Sequence, residues 1–143
     1  MKTITALFLV GATLATVTSA SAQERHRHDH EDGWYRFGAI FIDRSIQTYS
    51  REERPYEAQD TLMLPFRRIC TQLGAKSDRS KSGHHVWAEF HGNRLDYEEG
   101  RREYAINNRT FHIPARSEGK DGVLFVPFEL FKNLSRGRIE WRR

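Results

Sequence analysis

Residues 62–74 read Leu-Met-Leu-Pro-Phe-Arg-Arg-Ile-Cys-Thr-Gln-Leu-Gly, and the fold of the chain follows mainly from this stretch. Its apolar start is typical of a strand. Pro65 fixes φ near the helical value in the first turn of a helix, where its missing N–H is not needed. Because the residue before a proline prefers an extended backbone, we expect the strand to end at Leu64 and the helix to begin at Pro65.

The residues after Pro65 have the spacing of one helix face. Phe66, Ile69, Cys70 and Leu73 lie at i, i+3, i+4 and i+7, which predicts a short helix with a buried apolar stripe. A glycine suits the left-handed residue that commonly ends a helix, so Gly74 is its predicted C-terminal stop.

A second strand–Pro–helix unit occurs at 124–134, which reads Leu-Phe-Val-Pro-Phe-Glu-Leu-Phe-Lys-Asn-Leu, and Pro127 lies 62 residues after Pro65. Two units are too few for a solenoid. We therefore predict an α+β fold: a small single domain with an antiparallel β-sheet packed on one or two short helices, in two related strand–Pro–helix halves. Further strands are expected at 34–42 and 85–90, with residues 76–83 as a turn.

The N-terminal residues 1–22 have a lysine near the start, an apolar run at 6–17 and the small residues Ala20-Ser21-Ala22. This layout is typical of a secretory signal peptide cleaved after Ala22, and the run is shorter than the ~20 residues of a membrane-spanning helix. We predict three parts: a signal peptide (1–22), a His-rich disordered leader (23–32) and a folded domain (33–143). No transmembrane segment is expected after cleavage, and the protein is expected to be secreted or periplasmic.

Charge restricts the class of partner. The chain has 23 Lys and Arg against 19 Asp and Glu, a formal net charge of +4, with both signs spread along its length. This pattern indicates a mildly basic surface rather than a dedicated polyanion binder. Because export separates the protein from nucleic acid, we expect no nucleic-acid partner. An envelope protein or polymer, including an anionic polymer, stays open.

The leader contains three alternating histidines, His26, His28 and His30, with acidic residues beside them. Imidazoles and carboxylates suit copper, zinc or nickel, so the leader is a candidate exchangeable metal site. The other interpretation is a solvated leader that keeps the signal junction accessible to its peptidase. Because a histidine-rich tract is only a compositional signal for metal binding, the second interpretation is favoured. No other cofactor is predicted.

Neither the single cysteine nor the remaining histidines indicate catalysis. Cys70 lies on the apolar helix face, which predicts a buried, inert thiol, and one cysteine cannot form an internal disulfide. The sequence has no Gly-x-Ser-x-Gly, His-Glu-x-x-His, Cys-x-x-Cys or Gly-rich phosphate loop. A hairpin around residues 85–97 could bring together His84, His85, His91 and His112 as a metal or hydrolase site, but exposed histidines at turns are the favoured interpretation.

Four short motifs resemble the copper amine oxidase N-terminal-like domain, or stalk domain: residues 64–67 (Leu-Pro-Phe-Arg), 73–76 (Leu-Gly-Ala-Lys), 106–108 (Ile-Asn-Asn) and 125–128 (Phe-Val-Pro-Phe). The resemblance covers residues 37–141. It departs from the family pattern at Asn108, where glycine is usual, and at Glu129, where arginine is frequent. The motif positions it implies to be structural are Pro65, Arg67, Gly74, Asn107 and Pro127.

The resemblance implies a small α+β domain that serves as a non-catalytic accessory module of exported proteins. It implies no copper ligand, because the family's domain does not hold the copper of the oxidases. We therefore predict that the protein is not an enzyme but a binding or interaction module of the cell envelope. The alternative is a metal-binding or metal-buffering protein that uses the leader. Trp34 and Tyr49 are predicted to be exposed aromatic residues that contact a partner.

Overall fold

Residues 34–143, the part of the chain that this computed structural model describes, form thirteen strands and two short helices. The strands are β1 (Trp34–Tyr35), β2 (Gly38–Ile42), β3 (Ser45–Ile46), β4 (Tyr56–Ala58), β5 (Thr61–Pro65), β6 (Lys76–Arg79), β7 (His85–Phe90), β8 (Asn93–Glu98), β9 (Glu103–Ile106), β10 (Arg109–His112), β11 (Glu118–Lys120), β12 (Val123–Pro127) and β13 (Ile139–Arg142). The helices are α1 (Phe66–Leu73) and α2 (Phe128–Leu134).

The described strands belong to three sheets, and all their pairings are antiparallel. One sheet has the order β1-β2-β13 with β3 also on β2, the second β10-β9-β8-β7-β6 and the third β11-β12-β5-β4. Many of the hairpins turn through two residues with positive φ, the geometry that matches the twist of the flanking strands. These turns are Asp43-Arg44, Gln59-Asp60, His91-Gly92, Asn107-Asn108 and Asp121-Gly122. The predicted α+β class is confirmed.

The two strand–Pro–helix units pair with each other at the centre of the third sheet. Leu64 lies opposite Val126, and each of these residues occupies the same place in its own unit. The flanking pairs, Met63 with Pro127 and Pro65 with Phe125, keep that correspondence. The two halves therefore meet around a local two-fold relation, and α1 and α2 start from adjacent strand ends.

Both prolines lie at the end of a strand rather than inside a helix. Pro65 has φ −69° and ψ 109°, an extended conformation, and α1 begins one residue later at Phe66. The predicted boundary between Leu64 and Pro65 is therefore wrong by one residue, because Pro65 still pairs with Phe125 in the sheet. Pro127 has the corresponding place before α2, with φ −59° and ψ 143°.

Gly74 ends α1 in the left-handed conformation, with φ 72° and ψ 23°. Its N–H donates to the Thr71 carbonyl at 3.1 Å, and the Ala75 N–H donates to the Cys70 carbonyl at 2.8 Å. These two bonds satisfy carbonyls that the helix leaves without an internal partner. At the end of α2 the equivalent left-handed residue is Arg136, with φ 52°.

The main core lies between the sheets and the two helices. The apolar face of α1 is buried as the sequence pattern predicts, through Phe66, Ile69, Cys70 and Leu73. Phe66 meets Phe131 of α2 with ring centroids 5.7 Å apart. One face of the five-stranded sheet completes the core with a set of buried residues that includes Val86, Ala88, Phe90, Leu95, Tyr97 and Tyr104.

Two local predictions are wrong. Residues 76–83 are not a turn throughout, because Lys76–Arg79 form β6, an edge strand paired with β7. Its side chains are mostly exposed, so it has no apolar alternation to mark it as a strand. The expected strand at 34–42 is instead the hairpin β1–β2, in which Gly38 has φ 102°.

Substitution of single glycines should separate backbone strain from lack of space. Gly74→Ala should destabilise the fold by about 1 kcal/mol, because alanine is strained at positive φ although the space around it is open. Gly38→Ala should lower the free energy of unfolding by more than Gly74→Ala does, since its Cβ would also overlap the backbone carbonyl oxygen of Arg142. Urea unfolding measures both, with Gly119→Ala, which has open space and no positive φ, as the control. Equal losses for all three would contradict this account.

Candidate functional site

The outward side of the five-stranded sheet carries a tryptophan surrounded by charged side chains. Alternation along β7 buries Val86, Ala88 and Phe90, so the residues between them point away from the core. Strand β8 alternates in the same way. We name this surface the Trp87 face and define it by five of the outward residues of β7 and β8: His85, Trp87, Glu89, Arg94 and Asp96.

Arg94 is the centre of the polar contacts on the Trp87 face. Its guanidinium carbon lies 4.7 Å from the centroid of the Trp87 ring, within the range of a cation–π contact. The same group donates to Asp96 at 3.1 Å and to Glu89 at 3.0 Å. Hydrogen bonds to Asp96 and then Glu89 raise the pKa of Arg94 above its ordinary value. The guanidinium is thus charged and has three neighbours, one aromatic and two acidic.

His85 extends this network towards the other end of the hairpin. Its Nε2 lies 3.3 Å from Oδ1 of Asp96, so Asp96 contacts both a guanidinium and an imidazole. The side chains of His85, Glu89, Arg94 and Asp96 are 43%, 45%, 44% and 32% exposed. Since all four remain accessible, a partner can reach the face without any change in the fold.

A shallow cleft adjoins the Trp87 face at the β7–β8 turn. It has a volume of about 480 Å³, within the usual size range of ligand sites. Glu89 and Arg94 belong to both the cleft and the Trp87 face. The rest of its lining includes Lys76, His91 and Asn93. The face and the cleft together form a continuous, mainly polar surface, with Trp87 on the face and Phe90 in the lining of the cleft.

The hairpin histidines do not converge. His85 and His91 lie at opposite ends of β7, and His91 approaches Arg138 at 3.2 Å. His112 is on β10, with its Nδ1 3.4 Å from Glu103. Within residues 34–143 no group of three or more His, Cys, Asp or Glu has the arrangement to hold a metal ion. The favoured interpretation, histidines exposed at turns and strand ends, therefore agrees with the structure, while the alternative of a shared histidine site on the folded domain does not.

Asn107 ties two turns to the end of α2. Its Oδ1 accepts the Arg94 N–H at 2.8 Å, and its Nδ2 donates to Oδ1 of the buried Asn93 at 3.1 Å. Asn93 in turn donates to the Leu134 carbonyl at 3.3 Å, which lies in the last turn of α2. Such bonds contribute about 1 kcal/mol each, so Asn107 supports the edge of the Trp87 face.

Arg67 has a different setting from its counterpart in the second half. It is exposed and lines a groove of about 450 Å³ that also contains Arg68 and Arg79. The counterpart, Glu129, lies in the first turn of α2 and accepts the Thr61 hydroxyl at 2.9 Å. An acidic group is favourable at that end of a helix. The departure from the family pattern at Glu129 therefore has a local structural reason.

Two predictions about single side chains have opposite outcomes. Cys70 is buried and unpaired, as expected, and burial raises the pKa of its thiol to about 12. Tyr49 was expected on the surface but is only 3% exposed. Its ring packs near Tyr35, whose hydroxyl oxygen accepts the Tyr49 N–H at 2.8 Å. Tyr49 is therefore a core residue, and its proposed contact with a partner is wrong.

Some predictions fall outside the described residues. The signal peptide, the leader and the histidines His26, His28 and His30 all precede residue 34, and the partner contact of the Trp34 side chain also stays a prediction. Between residues 34 and 143, neither helix has the length and apolar character required to cross a bilayer.

The Trp87 face was not among the predicted sites, although the sequence contains a signal for it. Once the turn at 91–92 is placed, antiparallel pairing puts Trp87 opposite Asp96 and Glu89 opposite Arg94. The sequence also predicts that these four residues lie on the side of the sheet away from the core, because the alternate residues of both strands are mostly apolar. Spacing of this kind identifies a surface but not its ligand.

The fold defines a small α+β module in which a central pair of strand–helix units supports a larger antiparallel sheet. Residues 44–143 match the family model of the copper amine oxidase N-terminal domain. The chain belongs to this family, which confirms the resemblance seen in the sequence motifs. In copper amine oxidases this domain is a stalk-like, non-catalytic module. A search of curated proteins gave no significant match.

The neighbouring tyrosines should respond differently to loss of a hydroxyl. The buried Tyr49 hydroxyl has no hydrogen-bond partner among residues 34–143, so Tyr49→Phe should stabilise the fold by about 1 kcal/mol. Tyr35→Phe should destabilise it by a similar amount, because the Tyr49 N–H loses its acceptor. Thermal and urea unfolding at pH 7 measure both effects, and stabilisation by Tyr35→Phe would contradict the assignment.

The same pair predicts the alkaline limit of stability. Desolvation by burial raises the pKa of Tyr49 above its ordinary value, with a further contribution from Tyr35. Because the pKa of Tyr49 is higher in the folded state than in the unfolded state, the free energy of unfolding keeps its full value below about pH 10. It decreases as pH rises further. Tyr49→Phe should therefore reduce the loss of stability above pH 10.

Proposed function

We propose that the protein is an exported, non-catalytic binding module of the cell envelope and that the Trp87 face is its contact surface. Membership of the copper amine oxidase N-terminal domain family supports a stalk-like accessory role, since such domains are typically extracytoplasmic. The layout of residues 1–22 supports export. On this proposal the leader follows the cleaved signal, and the folded domain acts after secretion.

The observation that carries the proposal is the cluster of exposed polar side chains around the partly exposed Trp87 ring. A large aromatic ring with fixed polar neighbours is the composition that recurs at the centres of binding surfaces. Here the ring lies on the side of the sheet opposite the core, and Trp87 is not one of the buried core residues. The contacts of Arg94 with Glu89 and Asp96 hold the surrounding groups in place.

Cosedimentation with envelope material tests this function. The full chain is produced by export, and its intact mass should show Gln23 as the first residue. We expect the exported protein to bind the insoluble envelope fraction of the source cells and Trp87→Ala to weaken that binding about tenfold, which corresponds to about 1.4 kcal/mol. The reason is loss of the largest accessible apolar group on the face.

A matched control is available on another sheet. Phe41 is a partly exposed ring beneath a guanidinium, since Arg142 lies 4.4 Å from its centroid. Phe41→Ala removes an equivalent group away from the Trp87 face and should leave envelope binding unchanged. No envelope binding by the unsubstituted protein, or equal losses in both variants, would overturn the proposal.

A second function rests on the leader. We propose that His26, His28 and His30 bind copper or zinc as an exchangeable site, because three imidazoles and neighbouring carboxylates lie within seven residues, 26–32. The folded domain would then act as the carrier of the metal site. The composition of the leader supports this proposal, and the Trp87 face has no part in it.

Calorimetric titration of copper(II) and zinc into the exported protein, which keeps the leader after signal cleavage, tests the metal site. A triple variant, His26→Ala with His28→Ala and His30→Ala, should lose most of the binding at pH 7 because it lacks the imidazole ligands. The control replaces His84 and His112, which lie on the folded domain, and should bind metal normally. Unchanged binding in the leader variant would remove the metal function.

A further inference from the structure

We infer that the Trp87 face binds an uncharged polysaccharide chain, with one sugar ring stacked on the indole and its hydroxyl groups bound to the surrounding side chains. This inference rests on the proposed function and names the class of polymer that the same surface recognises. It follows from three properties of the face: its shape, its charge and the chemistry of its side chains.

The shape of the face suits an extended chain. The strand register places one residue from each of the five strands in a single row across the sheet. This row is Asp78, Trp87, Asp96, Ala105 and Thr110. Five strands at the usual spacing give a row roughly 19 Å long. Ala105 and Thr110 are small, so the surface stays low beyond Asp96 and has room for more than one sugar unit.

The charges on the face are paired and leave no strong field of one sign. Glu89 contacts Arg94 at 3.0 Å, and Asp96 contacts both Arg94 and His85. Towards the far edge of the sheet, Glu103 lies beside His112. Around the indole the acidic Asp78, Glu89 and Asp96 face the cations Arg94 and Lys76, so the face has no excess of positive charge to attract a polyanion. An uncharged polymer needs no such attraction.

The side chains around Trp87 match the two kinds of surface on a sugar. One side of a pyranose ring is formed by C–H groups, which pack favourably on the electron-rich face of an indole. The ring edge carries hydroxyls, each both a donor and an acceptor. Asp96 and Glu89 offer acceptors, while the His85 ring offers a donor, so both hydroxyl functions find partners.

Arg94 must move for a sugar to use the ring face that it covers. Its ion pairs are exposed, and exposed ion pairs hold a side chain in place only weakly. The guanidinium can therefore leave the indole while keeping a carboxylate partner. In this arrangement Arg94 competes with the sugar for the ring, which distinguishes sugar stacking from recognition of an anion by the same arginine.

Titration with uncharged oligosaccharides tests the inference. The probes are hexasaccharides of N-acetylglucosamine and of β-linked glucose, added to the exported protein. Calorimetry and tryptophan fluorescence measure their binding. We expect binding of at least one of them, with Trp87→Ala reducing affinity about tenfold and Trp87→Phe reducing it less. Phe41→Ala should have no effect. Because the indole points away from the core, circular dichroism should show that the Trp87 variants remain folded.

Arg94→Ala separates the two kinds of ligand. If the sugar stacks on Trp87, removal of the competing guanidinium should leave affinity for the hexasaccharide within threefold or increase it. A tenfold loss in this variant, or binding of polyglutamate or polygalacturonate with no binding of either uncharged hexasaccharide, would overturn the inference in favour of an anionic ligand.

A further comparison distinguishes failure of this inference from failure of the proposed function. Envelope material is treated with protease before cosedimentation. Binding that survives the treatment and is inhibited by the hexasaccharide supports a polysaccharide. Binding that disappears shows a protein partner, which overturns the inference but keeps the envelope-binding function. No binding to untreated envelope material would overturn both.

Discussion

The pairing of β5 with β12 is the constraint on which the rest of the fold depends. It places Leu64 opposite Val126 and brings two strand ends, each finished by a proline, to the same place. Proline has no N–H to donate to a further strand pairing, so each strand ends at its proline and continues directly into a helix. The two helices consequently start side by side and present their apolar faces to one core, where Phe66 meets Phe131. The five-stranded sheet then covers the apolar side of these helices.

The features that the sequence predicted well are local. The α1 face and its end at Gly74 depend on residues a few positions apart, and the second unit repeats the same signals around Pro127. The errors have non-local causes. Strand β6 has little apolar character and exists because β7 supplies hydrogen-bond partners, while Tyr49 is buried because a distant Tyr35 packs on it. Neither partner could be assigned from the residues next to β6 or Tyr49.

The Trp87 face was only partly accessible to sequence reasoning for the same reason. The hairpin of β7 and β8 was predicted, and its register follows from the turn. The contacts of Arg94 with both the indole and two carboxylates depend on side-chain positions that a register does not determine. The hairpin histidines do not form a cluster, because residues that share a hairpin can lie at its opposite ends, as His85 and His91 do.

One face of the five-stranded sheet thus packs on the core, and the other faces the solvent. Val86, Ala88 and Phe90 hold β7 against the core, while Trp87 lies on the other side of the sheet, partly exposed beneath Arg94. The Asn93–Asn107 bonds fix the edge of the sheet to α2, so the outward groups stand on a rigid support. Because the backbone positions of these outward residues are fixed, a partner that binds there has to order only side chains, which lowers the entropy cost of binding. A preformed support of this kind favours the binding role proposed for this surface.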